Sequence, residues 1–442
     1  MALLDVPAAA ASAARLHVAI LAEFAAATGG AEKVAIESAR ALADAGVTVT
    51  FIQAVASPGD PLLDHANVAR VCLDLPDVWT LPAWRGAAAG IWSGEAARRL
   101  AAALDRLPRP PDVIHLHQWT RALSPAVFPV LARSGVPVAV TLHDYALACP
   151  NGVYYRFDRA EPCSLTPLSS ACLAAGCDPR SRGHKLVRVA RSAALRIATG
   201  RERLDVVHVC DASRARIGTL AGTVRLRHHR IDNPVRVERR DPADPARGDA
   251  VVYVGRLTPE KGADLLAEAA RAAGLTAVFI GAGPLAGALR AQGAEVLGWR
   301  APEAVSDLVR ARARAVCAPS RWFETGPLTV YEALAQGVPV VASRRAGAAE
   351  RVVDGETGFT VEPTVAAMTD VLRRLTDDAL VARLGAAAHA RYWAAPTTLA
   401  THAGALIALY RDLRNGAAPR SATPDSLMHC NSQASAAGIG YP

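Results

Sequence analysis

Short apolar runs alternate along the chain with longer, Ala-rich stretches of helical character. In the first half, the apolar runs predict strands at Leu16–Leu21, Val47–Ile52, Val113–His117, Val138–Leu142 and Val206–Cys210. A helix is predicted between the first two strands, from about Ala31 to Ala45, with Gly46 in the position that commonly ends a helix. This alternation is typical of crossover units, which build parallel sheets covered by helices on both faces.

The same alternation begins again after a polar stretch that contains proline. Asn233-Pro234-Val235 and the following Arg239–Gly248 have the composition of an interdomain linker. Beyond it, strands are predicted at Val251–Gly255, Thr276–Gly281, Glu295–Leu297, Ala315–Ala318, Pro339–Ala342 and Gly358–Val361. The pattern therefore predicts an α/β protein with two Rossmann-like, doubly wound domains that face a central cleft.

Length and composition agree with two domains. A chain of 442 residues exceeds the roughly 250 to 300 residues at which single cores stop growing, and 51% hydrophobic content is enough for two cores. We predict an N-terminal domain over residues 15–235, a second domain over 236–395 and a C-terminal helix over 396–414. Residues 1–14 are predicted to be a disordered leader, and the Ala-, Ser-, Gly- and Pro-rich residues 415–442 a disordered tail.

The positive charge of the chain is concentrated in one segment. The formal net charge is +8, and between Arg180 and Arg203 eight basic residues stand against one acidic residue, a surplus of seven. Neither basic-aromatic alternation nor zinc-finger spacing accompanies this segment, so no nucleic acid partner is expected. Residues 183–203 are predicted to form a basic helix, which either lies on anionic lipid or is a solvated helix face.

The N-terminal residues lack the pattern of a secretion signal. Asp5 precedes every basic residue, so no positively charged region stands before the apolar stretch that ends at Ala14. The sequence has no uninterrupted apolar run of about 20 residues, so no membrane span is predicted. Eight cysteines in such a chain favour reduced thiols or metal ligands over a disulfide scaffold. We expect a cytoplasmic protein, peripheral on the inner face of the membrane if the basic helix binds lipid.

Two carboxylates flank the start of a predicted helix in the second half. Glu324 lies in the loop after the strand Ala315–Ala318, and Glu332 lies about two turns inside a helix that begins near Pro327. Carboxylates at the carboxyl edge of a parallel sheet can accept hydrogen bonds from the adjacent hydroxyls of a sugar or ribose. The helix-opening amides, which we expect at Gly326, Leu328 and Thr329, suit a phosphate. A solvated Glu pair on an ordinary amphipathic helix is the alternative.

Two cations follow the first predicted strand of the second domain. Arg256 and Lys261 are expected to project over the same sheet edge as Glu324. A diphosphate leaving group needs positive charge there as its bond breaks. The sequence shows no acidic metal-binding cluster, so these cations would replace a Mg²⁺ ion and no cofactor is expected to be required. Solvated surface charges are the alternative.

In combination these motifs resemble those of the retaining glycosyltransferases of the GT-B fold, in glycosyltransferase family four, which comprises group 1 glycosyl transferases. The resemblance covers roughly Leu16 to Leu413. It is carried by Gly29-Gly30-Ala31-Glu32, by Thr141-Leu142-His143-Asp144-Tyr145, by Arg256 with Lys261, and by Glu324 through Glu332.

The resemblance implies a role for each of these residues. It implies that Arg256 and Lys261 bind the diphosphate, Glu324 the sugar hydroxyls and Glu332 the ribose of a nucleotide-diphosphate sugar. His143 would face the transferred sugar, with a capping or core histidine as the alternative. Gly30 would let the backbone approach the donor phosphate, and Gly283 would lie near the base; an ordinary turn is the alternative for both. The implied catalytic set is His143, Glu324, Arg256 and Lys261.

The resemblance also implies an activity, and two other activities stay open. It implies transfer of a sugar, with retained anomeric configuration, to a glycan or lipid-linked acceptor in surface polysaccharide biosynthesis. The alternatives are a sugar-nucleotide epimerase or hydrolase of the same fold, and a non-catalytic binding scaffold. The chain departs from the family at Arg344–Glu350, where the family often has a Gly-Gly pair, so donor preference cannot be transferred from that loop.

Four cysteines lie close together in a predicted insertion over residues 146–180. They are Cys149, Cys163, Cys172 and Cys177, all within 29 residues and without a Cys-x2-Cys pair. Clustered thiolates could hold a structural zinc ion that stiffens a loop with little core of its own. Unliganded thiols and a disulfide or redox role are the alternatives. Some members of the family resemble this chain in carrying cysteines after the His-Asp-Tyr segment, which favours zinc.

Overall fold

A computed structural model describes residues 16–27, 29–200, 203–218 and 225–416 of the chain. The predicted leader over 1–14 and residues 417–442 of the predicted tail lie outside these ranges. The strands are β1 His17–Ala22, β2 Thr48–Gln53, β3 Val68–Cys72, β4 Val113–Leu116, β5 Val138–Leu142, β6 Tyr155–Arg156, β7 Glu161–Pro162, β8 Arg203–His208, β9 Arg225–Arg230, β10 Ala250–Val254, β11 Thr276–Ile280, β12 Glu295–Gly298, β13 Ala313–Ala318, β14 Val340–Ser343 and β15 Gly358–Val361.

The α-helices lie between these strands and at the C-terminal end of the described chain. They are α1 Gly30–Asp44, α2 Ala83–Ile91, α3 Gly94–Asp105, α4 Val127–Arg133, α5 Ser170–Ala174, α6 Arg182–Thr199, α7 Asp211–Gly218, α8 Ala263–Ala273, α9 Ala286–Ala291, α10 Pro302–Arg312, α11 Leu328–Gln336, α12 Val365–Arg374, α13 Asp378–Ala394 and α14 Leu399–Gly416.

Apart from β6 and β7, which form a short antiparallel pair, the strands of each half form a parallel sheet. The first has the order β3-β2-β1-β4-β5-β8-β9 and the second β12-β11-β10-β13-β14-β15. In the first sheet, β4 is paired in parallel with both β1 and β5; in the second, β10 is paired in parallel with β11 and β13. Apolar residues from both faces of each sheet are buried against helices. The α/β class with two doubly wound sheets is confirmed.

The predicted strands match most of the observed ones, and four observed strands were not predicted. Val138–Leu142 and Gly358–Val361 agree at both ends, and Gly46 adopts the left-handed conformation, with φ 82°, that a glycine at a helix end permits. The pattern missed the two-residue strands β6 and β7 and the edge strands β3 and β9; the residues of the two edge strands are mostly exposed or half-buried. An edge strand needs no continuous apolar run, so periodicity does not reveal it.

The last helix returns to the first domain. In α14, Leu406, Tyr410 and Leu413 are buried in the same cluster as Leu16 and Ile36. The chain crosses between the sheets once near Val235 and returns near Thr397, where the Val235 amide donates a 2.8 Å hydrogen bond to the Thr397 carbonyl oxygen. The two crossings therefore lie side by side, and the helix runs two residues beyond its predicted end at 414.

Candidate active site

The loop after β10 is held by two glycines of a neighbouring loop. A Cβ atom at Gly281 would overlap the Gly255 carbonyl oxygen, and one at Gly283 would overlap the backbone of Leu257. Both glycines have positive φ, 149° and 159°, which L side chains rarely adopt. The Leu257 amide donates to the Ala282 carbonyl oxygen at 2.9 Å. The predicted glycine turn thus has a packing role, because it supports the loop that carries Arg256.

A third glycine brings Lys261 against the loop after β13. Gly262 has φ 77°, and a Cβ there would overlap the Pro319 carbonyl oxygen. The Arg321 amide donates to the Glu260 carbonyl oxygen at 2.9 Å, which ties the same two loops together. The side chain of Lys261 is consequently placed beside Glu324, 63 residues later in the chain.

Glu324 lies in a polar environment at this edge. One carboxylate oxygen accepts a hydrogen bond from Lys261 Nζ, and the other accepts one from Ser320 Oγ at 2.5 Å. Burial raises the pKa of the Glu324 carboxyl, but the charge of Lys261, the two hydrogen bonds and the charge of Arg256 outweigh it, so the net pKa lies below its usual value. Glu324 is therefore an ionised carboxylate flanked by cations, and the structure brings Arg256, Lys261 and Glu324 together as predicted.

The loop at Arg344–Glu350 supports the backbone of Glu324. The Gly347 amide donates to the Glu324 carbonyl oxygen at 2.6 Å, and the Glu324 amide donates to the Arg345 carbonyl oxygen at 3.2 Å. A Cβ at Gly347 would overlap the Thr325 carbonyl oxygen and Cys210 Sγ. Only Gly347 must therefore be glycine for this packing. The position before it is occupied by the buried Ala346, so the loop has one glycine instead of a Gly-Gly pair.

The helix α11 begins directly after this loop. It starts at Leu328 rather than Pro327, so Leu328 and Thr329 are in its first turn, and Gly326 precedes the capping Pro327. The first-turn amides of a helix have no intrahelical acceptor and carry partial positive charge. These amides are therefore near Glu324 along the chain, at the place predicted for phosphate.

Glu332, the second predicted carboxylate, contacts the other domain. Lys33 Nζ of α1 lies 3.0 Å from Glu332 Oε1, and each side chain is about a quarter exposed. Glu37 lies one helical turn after Lys33 on α1, and its side chain is buried. Burial raises the pKa of Glu37 to about 7, with the Lys33 charge opposing this and the Glu332 charge adding to it. The Lys33–Glu332 ion pair therefore bridges α1 and α11.

Gly30 is the first residue of α1, after the capping residue Gly29. A Cβ at Gly30 would meet no atom within 4 Å, so the packing of the described residues does not require glycine there. The neighbouring Thr28 is outside the described residues. The open space above Gly30 is compatible with the close approach of a ligand.

His143 follows β5 and is the N-terminal member of the predicted catalytic set. Desolvation, and then the nearby His402, lower the pKa of His143 to about 3. The imidazole is consequently neutral at physiological pH. Its Nε2 lies 3.0 Å from Nδ1 of His117, and the two rings are stacked with centroids 5.2 Å apart.

The two halves of the site are joined by a direct hydrogen bond. Thr325 Oγ1 donates to the His143 carbonyl oxygen at 2.7 Å. Beside it, the Arg216 guanidinium lies over the ring of Phe323, 3.3 Å from the centroid. The sequence analysis did not predict Thr325, Ser320, Lys33 or His117 as site residues. Thr325 and Ser320 adjoin Glu324, but single hydroxyl residues in a loop carry no specific signal.

The cysteine cluster does not form the predicted metal site. Among the described residues, no group of three or more His, Cys, Asp or Glu side chains could hold a metal ion, so structural zinc at Cys149, Cys163, Cys172 and Cys177 is not supported. A buried ammonium occupies the cluster instead: Lys185 Nζ lies 2.8 Å from Cys177 Sγ and 3.8 Å from Cys172 Sγ. All four cysteines are free and buried, which agrees with the alternative of unliganded thiols.

The basic helix also differs from its prediction. In α6, Lys185 faces the thiols, Arg188 Nε pairs with Asp178 Oδ2 at 3.1 Å, and Arg191 donates to the Thr120 carbonyl oxygen at 3.2 Å. The exposed face instead carries Leu186 and Ile197, which are 66% and 82% exposed. Lys185 and Arg188 therefore contact the insertion, and Arg191 contacts the segment after β4, so these three side chains do not form an outward basic face. Arg201 lies outside the described residues. In the part of the chain that the structure describes, no helix is both long and apolar enough to cross a membrane.

A cleft between two Rossmann-like domains, with cations and a carboxylate on one edge and a histidine on the other, is the architecture of the GT-B class. Residues 236–391 match the family described as Glycosyl transferases group 1, and residues 28–174 match Glycosyltransferase Family 4. The D-inositol 3-phosphate glycosyltransferase of Mycobacterium leprae is 30% identical over 355 residues, which are 75% of this chain and 76% of that relative. The chain belongs to the group 1 glycosyltransferases, and it is a glycosyltransferase.

Two further proteins are similar to this chain, one over part of its length and one in fold. The D-inositol 3-phosphate glycosyltransferase of Frankia alni is 33% identical over 274 residues, 57% of this chain, so the match spans only 61% of that relative's length. The crystal structure of Anabaena HepE in complex with UDP and glucose has a TM-score of 0.62 and 19% identity, and covers 90% of this chain and 100% of that chain. This second likeness establishes the shared fold.

Proposed function

We propose that the protein transfers a sugar from a nucleotide-diphosphate sugar to a glycan or lipid-linked acceptor, with retained anomeric configuration, in surface polysaccharide biosynthesis. The donor would bind the C-terminal domain, residues 236–395, and the acceptor the N-terminal domain, residues 15–235. The observation that carries the proposal is the contact of Lys261 with Glu324, with Arg256 beside them, next to the Thr325–His143 hydrogen bond that joins the domains.

The cations supply what a departing diphosphate needs. As the bond to the sugar breaks, negative charge grows on the leaving phosphate, and fixed positive groups stabilise that charge without a metal ion. Lys261 would then bind both the phosphate and Glu324. Its hydrogen bond to Glu324 would keep the carboxylate oriented toward the sugar hydroxyls. The leaving phosphate can receive the proton of the acceptor hydroxyl on the same face of the sugar, so retention needs no separate protein base.

The remaining predicted contacts concern the nucleotide. Leu328 and Thr329 would offer first-turn amides to the phosphates, together with Gly326, and Glu332 would accept the ribose hydroxyls. Because Glu332 is paired with Lys33, donor binding would require this ion pair to open or to share the carboxylate. We place Gly283 near the base and Gly30 near the donor phosphate, where its open space suits a close approach.

The test is turnover of a nucleotide-sugar panel with and without acceptors. HepE was crystallised with UDP and glucose, so the panel begins with UDP-glucose; inositol 3-phosphate, named in the relatives, and a bacterial lipid extract are the acceptors. Acceptor-dependent release of nucleotide supports the proposal, and the anomeric coupling constant of the product reports retention. Isomerised or hydrolysed donor without acceptor would support the epimerase or hydrolase, and binding without turnover would support the scaffold.

A lipid-linked acceptor also calls for membrane contact, which we propose at α6. Leu186 and Ile197 are eleven residues apart, about three helical turns, so they share one exposed face. The neighbouring helix α2 exposes Trp84, and Arg180 and Arg182 flank the start of α6. Apolar side chains with flanking cations are suited to the surface of anionic lipid, which would place the protein at the cytoplasmic face of a membrane.

Sedimentation with vesicles tests this contact. The double variant Leu186→Glu, Ile197→Glu is expected to lose binding to phosphatidylglycerol vesicles, while Trp299→Glu, at an exposed aromatic residue of the other domain, retains it. Equal binding by the two variants would disprove docking through α6.

A further inference from the structure

Two histidines end neighbouring strands at the floor of the cleft. His117 follows β4 and His143 follows β5, and these strands are paired in parallel, with Leu116 opposite Val140. The His117 amide donates to the Leu21 carbonyl oxygen at 3.0 Å, which fixes its backbone to β1. His117 is 2% exposed, whereas His143 is half-buried. The buried ring of His117 therefore lies behind the ring of His143, which the family resemblance implies faces the transferred sugar.

The two rings share one hydrogen bond between neutral imidazoles. His117 Nδ1 and His143 Nε2 are 3.0 Å apart. Desolvation is the first cause that lowers the pKa of each ring, to about 3 for His143 and well below the usual value for His117. A neutral imidazole has one N–H and one bare nitrogen, so one ring must donate and the other must accept.

The surroundings of His117 favour one direction for this bond. His117 Nε2 is buried and has no hydrogen-bond partner among the described residues. If His143 donated, His117 would carry its hydrogen on Nε2, as a buried N–H without an acceptor, an arrangement that folded proteins rarely contain. If His117 donates from Nδ1, its Nε2 is a bare nitrogen, and the buried ring carries no N–H without an acceptor.

The adjacent His115, unlike His117, has a hydrogen-bond partner at both ring nitrogens, so it does not affect the direction of the His117–His143 hydrogen bond. Its Nδ1 lies 2.6 Å from the Tyr410 hydroxyl and its Nε2 lies 2.7 Å from Thr141 Oγ1. Both of its nitrogens are therefore occupied, and its ring lies against that of His117, with centroids 4.4 Å apart. This packing holds the ring of His117 in place.

We propose that His117 is a positioning residue that donates from Nδ1 to His143 Nε2 and so fixes the hydrogen of His143 on its own Nδ1. With Nε2 occupied, Nδ1 is the ring nitrogen of His143 left for a ligand, and it acts as a hydrogen-bond donor and not as a base. Its partner in the substrate is then an oxygen acceptor, such as a sugar hydroxyl or a phosphate oxygen. The inference deepens the proposed function and rests on it for the role of His143.

The tautomer can be measured without any turnover. The full chain is labelled with ¹⁵N-histidine, and two-dimensional NMR correlates the ring nitrogens with the carbon-bound ring protons, which reports the tautomer of each histidine. The His143 signals are assigned by their loss in His143→Gln. We expect a hydrogen on Nδ1 of His143 in the wild type and in His117→Asn, whose amide can donate from nearly the same position. In His117→Phe, which keeps a stacked ring but no donor, we expect Nε2–H to become the main form.

Kinetics then separate positioning from simple packing. With the donor and acceptor established by the turnover panel, His117→Phe should lower kcat about 10-fold to 100-fold with a small change in the donor KM, and His117→Asn should recover most of the loss. A hydrogen on Nε2 of His143 in the wild type, or an unchanged tautomer in His117→Phe, would overturn the inference. Failure to find turnover would affect the proposed function and leave the spectroscopic result standing.

Discussion

The hydroxyl of Thr325 donates a 2.7 Å hydrogen bond to the backbone carbonyl oxygen of His143, 182 residues earlier in the chain. Thr325 immediately follows Glu324, and His143 immediately follows β5. The bond therefore joins the carboxylate loop of one sheet to the histidine edge of the other, and it sets the spacing of the two sides of the proposed site.

Removal of this hydrogen bond should lower catalytic efficiency. Thr325→Val keeps the shape of the side chain but leaves the His143 carbonyl oxygen without this donor, at a cost of about 1 kcal/mol. We expect kcat/KM to fall about fivefold, because about 1.4 kcal/mol corresponds to a factor of ten. Thr325→Ser retains the donor and is the matched control. If both variants have the activity of the wild type, this contact does not align the site.

Loss of Lys261 should reveal its dual role. Lys261→Met removes the cation that faces Glu324 and the proposed diphosphate, so kcat/KM should fall about 100-fold or more. Arg300→Met, at an exposed arginine whose guanidinium bonds only to the neighbouring Trp299 carbonyl oxygen among described contacts, should be close to wild type. Steady-state kinetics measure both. Comparable losses in the two variants would point to a general charge effect.

Gly262 is predicted to be far less tolerant of alanine than Gly274. Both have positive φ, 77° and 74°, but a Cβ at Gly262 would overlap the Pro319 carbonyl oxygen, whereas one at Gly274 would meet no atom within 4 Å. Gly274→Ala should cost about 1 kcal/mol from backbone strain alone, and Gly262→Ala about 3 kcal/mol because overlap is added.

Urea unfolding measures the two losses, and activity gives a second comparison. Displacement of Lys261 from Glu324 should also lower the turnover of Gly262→Ala, with Gly274→Ala unaffected. Equal stability losses would show that the loop relaxes around the new methyl group.

The buried carboxyl of Glu37 should make stability fall as pH rises through neutrality. Its pKa in the folded protein is raised from 4.5 to about 7, so between these values the folded state binds more protons than the unfolded state. The stabilisation from this group is present below about pH 4.5 and is lost as pH rises to about 7, up to about 3 kcal/mol in all. Glu37→Gln removes this dependence.

Thermal unfolding at pH 5 and pH 8 tests the prediction, with each variant compared with wild type at the same pH. The Tm of Glu37→Gln relative to wild type should be higher at pH 8 than at pH 5. Several histidines with lowered pKa values, including His143 and His115, act in the opposite direction in both proteins, so their effects cancel in the comparison. A difference between variant and wild type that is the same at both pH values would contradict the expected titration.

The sequence by itself determined most of the fold and the positions of the loops that form the site. Apolar periodicity is a local property, and it located strands such as Val138–Leu142. The carboxyl ends of parallel strands meet at one sheet edge, so Arg256, Lys261 and Glu324 could be predicted to lie together from their places after β10 and β13.

Tertiary structure alone decided the contacts between distant residues. The pairing of Glu332 with Lys33, the bond from Thr325 to His143 and the contact of His117 with His143 depend on how the elements pack. The same holds for α6, because composition records its basic residues but only packing turns Lys185 toward the thiols and leaves Leu186 exposed. Local pattern specifies which elements form; burial and electrostatics between elements specify which side chains meet.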